Sequence, residues 1–238
     1  MTLPDLTQSA RQPRLLQTVD GWEADAADQV SASCADAVLL NLRGEGHEAA
    51  LRARAMLSSL PRPSNGGIPL IGGLHPQDSN EHAADVEAAV AAGAEAVALR
   101  GVRAGADLQR LDVVLSVAEA EQGRPMGSTA ILAFIGDNPA GLLAAGSFAA
   151  MTPRLSMLGW HGGRLATALG QGPDADQTFG TLARSTTLMA AAAAGVAALD
   201  WMDPRLEGAA LQRHLAGTAA DGFAWVLIST AQATALRG

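Results

Sequence analysis

The chain has no lysine and no tyrosine, and all sixteen of its basic residues are arginine. Without lysine there is no Schiff-base aldolase and no internal pyridoxal aldimine. A phosphate-binding Walker loop is excluded as well, because its lysine must reach the phosphates. A single cysteine rules out an intrachain disulfide. Cys34 lies just before an expected strand and is read as a small buried residue rather than a nucleophile. Aromatic residues make up only 3% of the chain, so the core must be built from Ala, Leu, Val and Ile. Long apolar runs are missing. The most apolar stretch, "LMAAAAAGVAAL" (Leu188 to Leu199), is too short to span a bilayer. The opening "MTLPDLTQSARQPR" lacks the apolar region of a signal peptide, and a cytoplasmic protein is expected. A net charge of -8 argues against a nucleic-acid or anionic-membrane surface.

What is present is an alternation of short apolar runs and Ala/Leu-rich helical runs. Strands are predicted at Leu15–Val19, Ala37–Leu42, Ile68–Leu74, Ala96–Val102, Thr129–Ile135, Leu155–Trp160, Val196–Met202 and Phe223–Thr230. Several are continuously apolar, as strands covered on both faces should be. Between them, His82–Gly93, Asp107–Gly123 and Leu206–Gly222 carry helical periodicity and each stops at a glycine. Eight β/α units in 238 residues fit a (β/α)8 barrel spanning 1–238 as one domain. A doubly wound open sheet is the alternative. "PRPSNGG" (Pro61–Gly67) reads as the loop into the third strand, not as a domain linker.

Local motifs are few. Gly44-Glu45-Gly46-His47-Glu48-Ala49 has the outline of a dinucleotide fingerprint. Two glutamates beside a pyrophosphate oppose that reading, and a β-α turn accounts for the glycines. His75 and His82 lie seven apart across a loop and a helix start, and His161 and His214 stand alone. These are read as surface or internally satisfied histidines rather than metal ligands.

In a barrel, catalytic groups come from the carboxyl ends of several strands. Those ends offer Asn41, Arg43, Gly72, Gly73, His75, Arg100 and Arg103, then Asp137, Asn138, His161, Arg164, Asp200, Asp203, Ser229 and Thr230. No two acids cluster, whereas a Mg²⁺ site wants facing carboxylates. Asp137 is the obvious acid on the fifth and sixth strands. The simpler reading makes it the N-cap of a helix beginning at Pro139.

Several segments resemble the HpcH/HpaI aldolase and citrate lyase beta subunit family over nearly the whole chain. "ADAVLLNLRGE" (Ala35–Glu45) is similar to the family's A-D-x-V-I-L-D-L-E-D strand, and "EAALRARAML" to the helix after it. "DVEAAVAAGAEAVALRGV" is similar to the stretch ending in M-L-P-K-V. "ILAFIGDNPAGLLAAGSFAAMTPRLSMLGWHGGRLATALG" follows the I-E-T…R…F-G-x-x-D-L stretch. "AALDWM" and "DGFAWVLISTAQ" resemble the seventh and eighth strands, the latter one residue shorter than the family's G-F-x-G-K-x-x-I-H-P-x-Q.

The resemblance implies a (β/α)8 barrel, commonly trimeric, that splits or joins C–C bonds in acyl-CoA or 2-oxo acid substrates. In that chemistry a divalent metal polarises a carbonyl. The polar rim departs from the pattern. The metal-binding Glu of I-E-T corresponds to Gly136, and the second ligand, the Asp of F-G-x-x-D, corresponds to Arg164. L-D-L-E-D has become Asn41-Leu42-Arg43-Gly44-Glu45, P-K is Arg100-Gly101, and I-H-P is Ile228-Ser229-Thr230. The arginine of V-R-I-N has no counterpart, and a barrel lacking the C-terminal lid of many relatives is expected. A cation now stands where a ligand should be. Two like charges about 4 Å apart repel by about 4 kcal/mol at an effective dielectric near 20.

The expectation is therefore a catalytically degenerate barrel, a pseudoenzyme with no metal and no cofactor. Its partners would be a small carboxylate or acyl-CoA ligand, further copies of itself in a trimer, or an active relative in a heteromer. Asp137, Arg100, Arg164 and His161 are the rim candidates, and a salt bridge from Arg164 to Asp137 is predicted to fill the former metal position. The alternative is a still active C–C lyase or related hydrolase with a rebuilt Mg²⁺ site. There Asp137 replaces the missing Glu by a one-residue shift, and Arg100 or Arg164 binds a substrate carboxylate.

Overall fold

A computed structural model describes residues 12–61, 67–172 and 178–237. Most of the expected loop Pro61–Gly67 lies outside these residues. Eight parallel strands close into a barrel in sequence order, β1 through β8 and back to β1. The strands are β1 (Arg14–Asp20), β2 (Ala37–Asn41), β3 (Leu70–Gly73), β4 (Ala96–Leu99), β5 (Ala130–Gly136), β6 (Leu155–Trp160), β7 (Ala197–Trp201) and β8 (Trp225–Ile228). Seven of the eight start and end within two residues of the expected apolar runs. β4 is the exception: it ends at Leu99, because the chain turns outward at Gly101, whose φ is 69°.

Helices cover the outside: α1 (Ala26–Ser31), α2 (His47–Ser59), α3 (His82–Ala92), α4 (Gly105–Glu121), α5 (Pro139–Leu143), α6 (Gly162–Ala168), α7 (Thr178–Ala194), α8 (Gly208–Ala220) and α9 (Thr230–Arg237). α3 stops where Gly93 takes the left-handed conformation. α4 is held at its start by Asp107, whose carboxylate accepts the backbone N–H of Arg103 and Ala104 at 2.7 and 3.1 Å.

Alternation along each strand divides the core in two. Inward residues such as Leu16, Leu39, Leu132, Phe134, Met157, Leu199 and Trp225 fill the barrel. Outward residues such as Val38, Leu40, Val97, Ile131, Ile135 and Leu158 meet the helices. With so few aromatics, tight spacing replaces bulk. At Gly72 on β3, a Cβ would stand 3.1 Å from Ala89 of α3.

Three buried ionic clusters tie neighbouring units. Arg54 on α2 bonds Asp85 and Glu81 at 2.9 and 2.7 Å, and Asp85 also accepts the ring of His75 at 2.6 Å. Arg154, just before β6, bonds Glu119 twice, at 2.9 and 2.8 Å, and also pairs with Asp112. Asp200 on β7 accepts Trp160 Nε1 at 2.7 Å, Arg184 Nε at 2.9 Å and Thr218 at 2.8 Å. Each cluster has its charges paired and its lone pairs used, as burial of ions requires.

Cys34 departs from expectation. It is exposed, because the strand it precedes begins only at Ala37. Its thiol donates to the Ala233 carbonyl at 3.1 Å.

Candidate functional site

At the carboxyl ends of the strands lies a cavity of about 570 Å³, bounded by the chain after β2, β3, β4 and β5 and by α6. Its lining includes five arginines (43, 100, 103, 110 and 164) and three aspartates (78, 107 and 137). The excess of positive charge is notable in a chain whose net charge is -8. A concave, low-dielectric mouth concentrates such a field.

The deepest cation is Arg100. It is 8% exposed, and its guanidinium lies over the ring of Phe134, 4.2 Å from the centroid. Burial first, then Arg164 and Arg43, pushes its pKa down to about 9, against the pull of Asp137 and Asp20. Arg43 is also lowered, by burial and then by Arg164, with Asp137 and Asp85 opposing. Nη1 of Arg43 and Nη1 of Arg100 are both buried with no hydrogen-bond partner. Buried guanidinium donors without an acceptor are costly in an otherwise satisfied interior.

Asp137 also faces this cavity, and a register slip puts it there. The pairing of β5 with β6 shifts between Phe134 and Gly136. Phe134 points into the barrel and Ile135 outward. Gly136 then also faces outward: a Cβ there would stand 2.3 Å from Trp160 Cβ and 3.0 Å from the Thr187 hydroxyl. The inward position passes to Asp137. One carboxylate oxygen accepts the Gly101 N–H at 2.9 Å, and the other accepts the Asn138 side-chain amide at 3.1 Å.

Two expectations about Asp137 are corrected. The N-cap of α5 is Asn138, whose side-chain oxygen accepts the Gly141 N–H at 3.0 Å. Asn138 sits immediately before Pro139, the position a cap must occupy, and this leaves Asp137 to hold the β4 turn. The predicted ion pair with Arg164 is absent among the described residues, where Asp137 joins no salt bridge. Arg164 is exposed on the first turn of α6. It bears on the mouth through its field rather than through a bond.

His161 caps α6, its ring accepting the Arg164 N–H at 3.4 Å while it stacks on Trp201 with centroids 5.2 Å apart. Burial, then the fields of Arg100 and Arg164, pushes its pKa down to about 3, so the imidazole is neutral near pH 7.

Other rim candidates are occupied elsewhere. His75 serves Asp85, Asp200 lies in its own buried cluster, and Asp203 pairs with Arg205. Asn41 donates to Asp20, and Thr230 donates to Gln29. Gln77, Asp78 and Arg110 also line the cavity, and no motif pointed to them. The absence of lysine was the available signal, since it leaves arginine as the permanently charged side chain for binding an anion.

The donor set does not fit a divalent ion. No group of three or more His, Cys, Asp or Glu among the described residues is placed to hold a metal. The one carboxylate at the centre of the mouth is already used by a backbone N–H and lies in the field of Arg43 and Arg100. Gly136 supplies no ligand and faces away.

No family model matches the chain, and no curated protein matches it. Solved structures do. The citrate lyase beta subunit of Mycobacterium tuberculosis superposes with a TM-score of 0.74 at 23% identity, covering 95% of this chain and 96% of that one. A structure of that subunit with oxaloacetate and magnesium gives a TM-score of 0.73 at 22% identity, covering 98% of each chain. RipC from Yersinia pestis gives 0.69 at 22% identity, covering 95% and 94%. The fold is thus that of citrate-lyase-beta-like barrels. No helix among the described residues is long and apolar enough to cross a membrane.

Proposed function

We propose that this protein is a citrate-lyase-beta-like barrel that has given up metal-dependent C–C cleavage and serves as a binding protein for small carboxylates. One observation carries the reading. At the mouth, Arg43, Arg100 and Arg164 surround a single engaged carboxylate, Asp137. A Lewis-acid mechanism needs a held cation, and this arrangement repels one. The same guanidiniums suit a carboxylate, which they can grip with two parallel hydrogen bonds. The similar barrel with oxaloacetate and magnesium fits the same class of ligand, with the metal's charge replaced here by arginine. The protein works as an assembly, either of its own copies or with an active relative.

A second reading rests on the inward turn of Asp137, which lines the mouth where a rebuilt metal site would need it. In that case the protein remains a lyase or related hydrolase. Calorimetric titration of Mg²⁺ and Mn²⁺ into the full chain, alone and with oxaloacetate or acetyl-CoA, separates the two. Our reading expects no saturable metal heat and no cleavage of oxo acids or their CoA thioesters. Saturable metal binding at micromolar concentration with product release would establish the lyase instead. Mass measurement in solution tests the assembly, and a monomer at working concentration would refute self-association.

A further inference from the structure

We infer that the mouth is a metal-free receptor for a small oxyanion of charge −2, such as a dicarboxylate or phosphate, and that Mg²⁺ opposes binding of that anion. The inference deepens the proposed function and rests on its premise that the mouth holds no metal. In a metal-dependent site, ion and substrate strengthen each other's binding, and the coupling is reciprocal. Here the positive charge belongs to the chain. A solution cation can then act only on the anion, by pairing with it outside the cavity.

Three observations support the inference. Nη1 of Arg43 and Nη1 of Arg100 are buried hydrogen-bond donors with no acceptor. A ligand oxygen is the group that would complete them. The side chain of Arg100 is more than nine-tenths buried and its guanidinium is packed over Phe134, 4.2 Å from the ring centroid, so it is positioned before a ligand arrives. The charge count sets the valence. The cavity lining carries five arginines (43, 100, 103, 110 and 164) against three aspartates (78, 107 and 137), an excess of two positive charges. Asp107 is committed to Arg110 and to the start of α4. A monoanion leaves one of these charges without a counter-ion, and a dianion leaves none. The cavity volume of about 570 Å³ admits a small anion.

The test is calorimetric titration of the metal-stripped full chain at low ionic strength with acetate, oxalate, malonate and inorganic phosphate. Oxalate or malonate should bind about tenfold or more tighter than acetate, with phosphate reporting whether a tetrahedral dianion is equally accepted. Adding Mg²⁺ should weaken the apparent affinity by the fraction of anion it complexes. Arg100→Met should cost about tenfold or more, and Arg43→Gln, kept as a second variant, should behave likewise. Asp137→Asn should tighten dianion binding, since it removes a competing negative charge from the lining. Thermal melts confirm that each variant is folded. Equal affinities for acetate and oxalate, no detectable binding, or full affinity in both arginine variants would overturn the inference while leaving the loss of lyase chemistry intact. Anion binding that strengthens with Mg²⁺ would overturn the inference and the proposed function together.

Discussion

Restoring the missing glutamate at position 136 should fail to restore a metal site. A Cβ on Gly136 meets Trp160 Cβ at 2.3 Å, Trp160 Cα at 3.0 Å and the Thr187 hydroxyl at 3.0 Å. Two of these contacts are too close to the backbone to yield by a rotamer change. Gly136→Ala is the graded probe, because it adds only the clashing atom. Overpacking of this kind costs about 1–3 kcal/mol. In a chain of this size each kcal/mol lowers the melting temperature by roughly 2–4 °C, so a fall of about 2–12 °C is expected. Gly136→Glu adds a carboxylate directed between β5, β6 and α7 rather than into the mouth. An uncompensated buried charge of that kind costs roughly 3–5 kcal/mol more. The assay is a thermal melt of both variants with and without Mg²⁺. Our expectation is a lower melting temperature in the order wild type, Ala, Glu, with no response to the ion. A Gly136→Glu protein that melts with the wild type and gains stability from Mg²⁺ would refute the register argument, because its side chain must then reach the cavity.

Arg100→Met should raise the stability of the ligand-free protein by about 1 kcal/mol or more while it weakens anion binding, because it replaces an unpaired buried cation with an apolar chain; a melt without ligand checks this, and a lower melting temperature would contradict it. Asp200→Asn should destabilise by about 3 kcal/mol, since Arg184 loses a buried partner, and denaturant unfolding measures the change. Glu119 is pushed up by burial, but its bonds to Arg154 and to the backbone N–H groups of Gly127 and Thr129 outweigh this and hold its pKa at about 2, against 4.5 when free. Its stabilisation, on the order of 3 kcal/mol, is therefore complete above pH about 4.5 and is lost as the pH falls toward 2. Glu119→Gln should remove most of that acid-dependent slope in unfolding titrations between those limits. Because His161 is held neutral down to about pH 3, anion affinity should show no step near pH 6.5, and a His161-dependent inflection there would count against the described stacking.

The barrel was legible because strands covered on both faces are largely apolar, and eight short apolar runs alternate with helical stretches along the chain. α7 was harder to see. Its last turns are the Ala-rich run Leu188 to Ala194, which reads only as an apolar stretch until β7 is separated from it at Gly195. The rim arginines were visible one by one, but their convergence was not, because their contacts come from strands far apart in the chain. Most instructive is the stretch from Phe134 to Asp137. Strict alternation would send residue 136 inward and 137 outward, and a register slip against β6 reverses both. Periodicity along one strand contains no record of its neighbour's register. The family resemblance, which set Arg164 at a former ligand position, suggested a salt bridge to Asp137, whereas the carboxylate is taken up by the turn at Gly101.

The three buried ionic clusters have a mechanical consequence. Arg54–Asp85 joins the second and third units, Arg154 joins α4 to the loop leading into β6, and Arg184–Asp200–Thr218 joins the sixth and seventh. Smaller ties bridge other joints: Asn41 to Asp20, the Arg124 guanidinium to the Val90 carbonyl, the Gln232 amide to the Asp203 carbonyl, and Cys34 to Ala233. The barrel is thus a hoop with a rivet at each of these joints. Parting it at the three strongest would strand a charge away from both water and partner. Such a ring gives up no single segment cheaply, so it should come apart in one step under load or heat, whichever strand is pulled first.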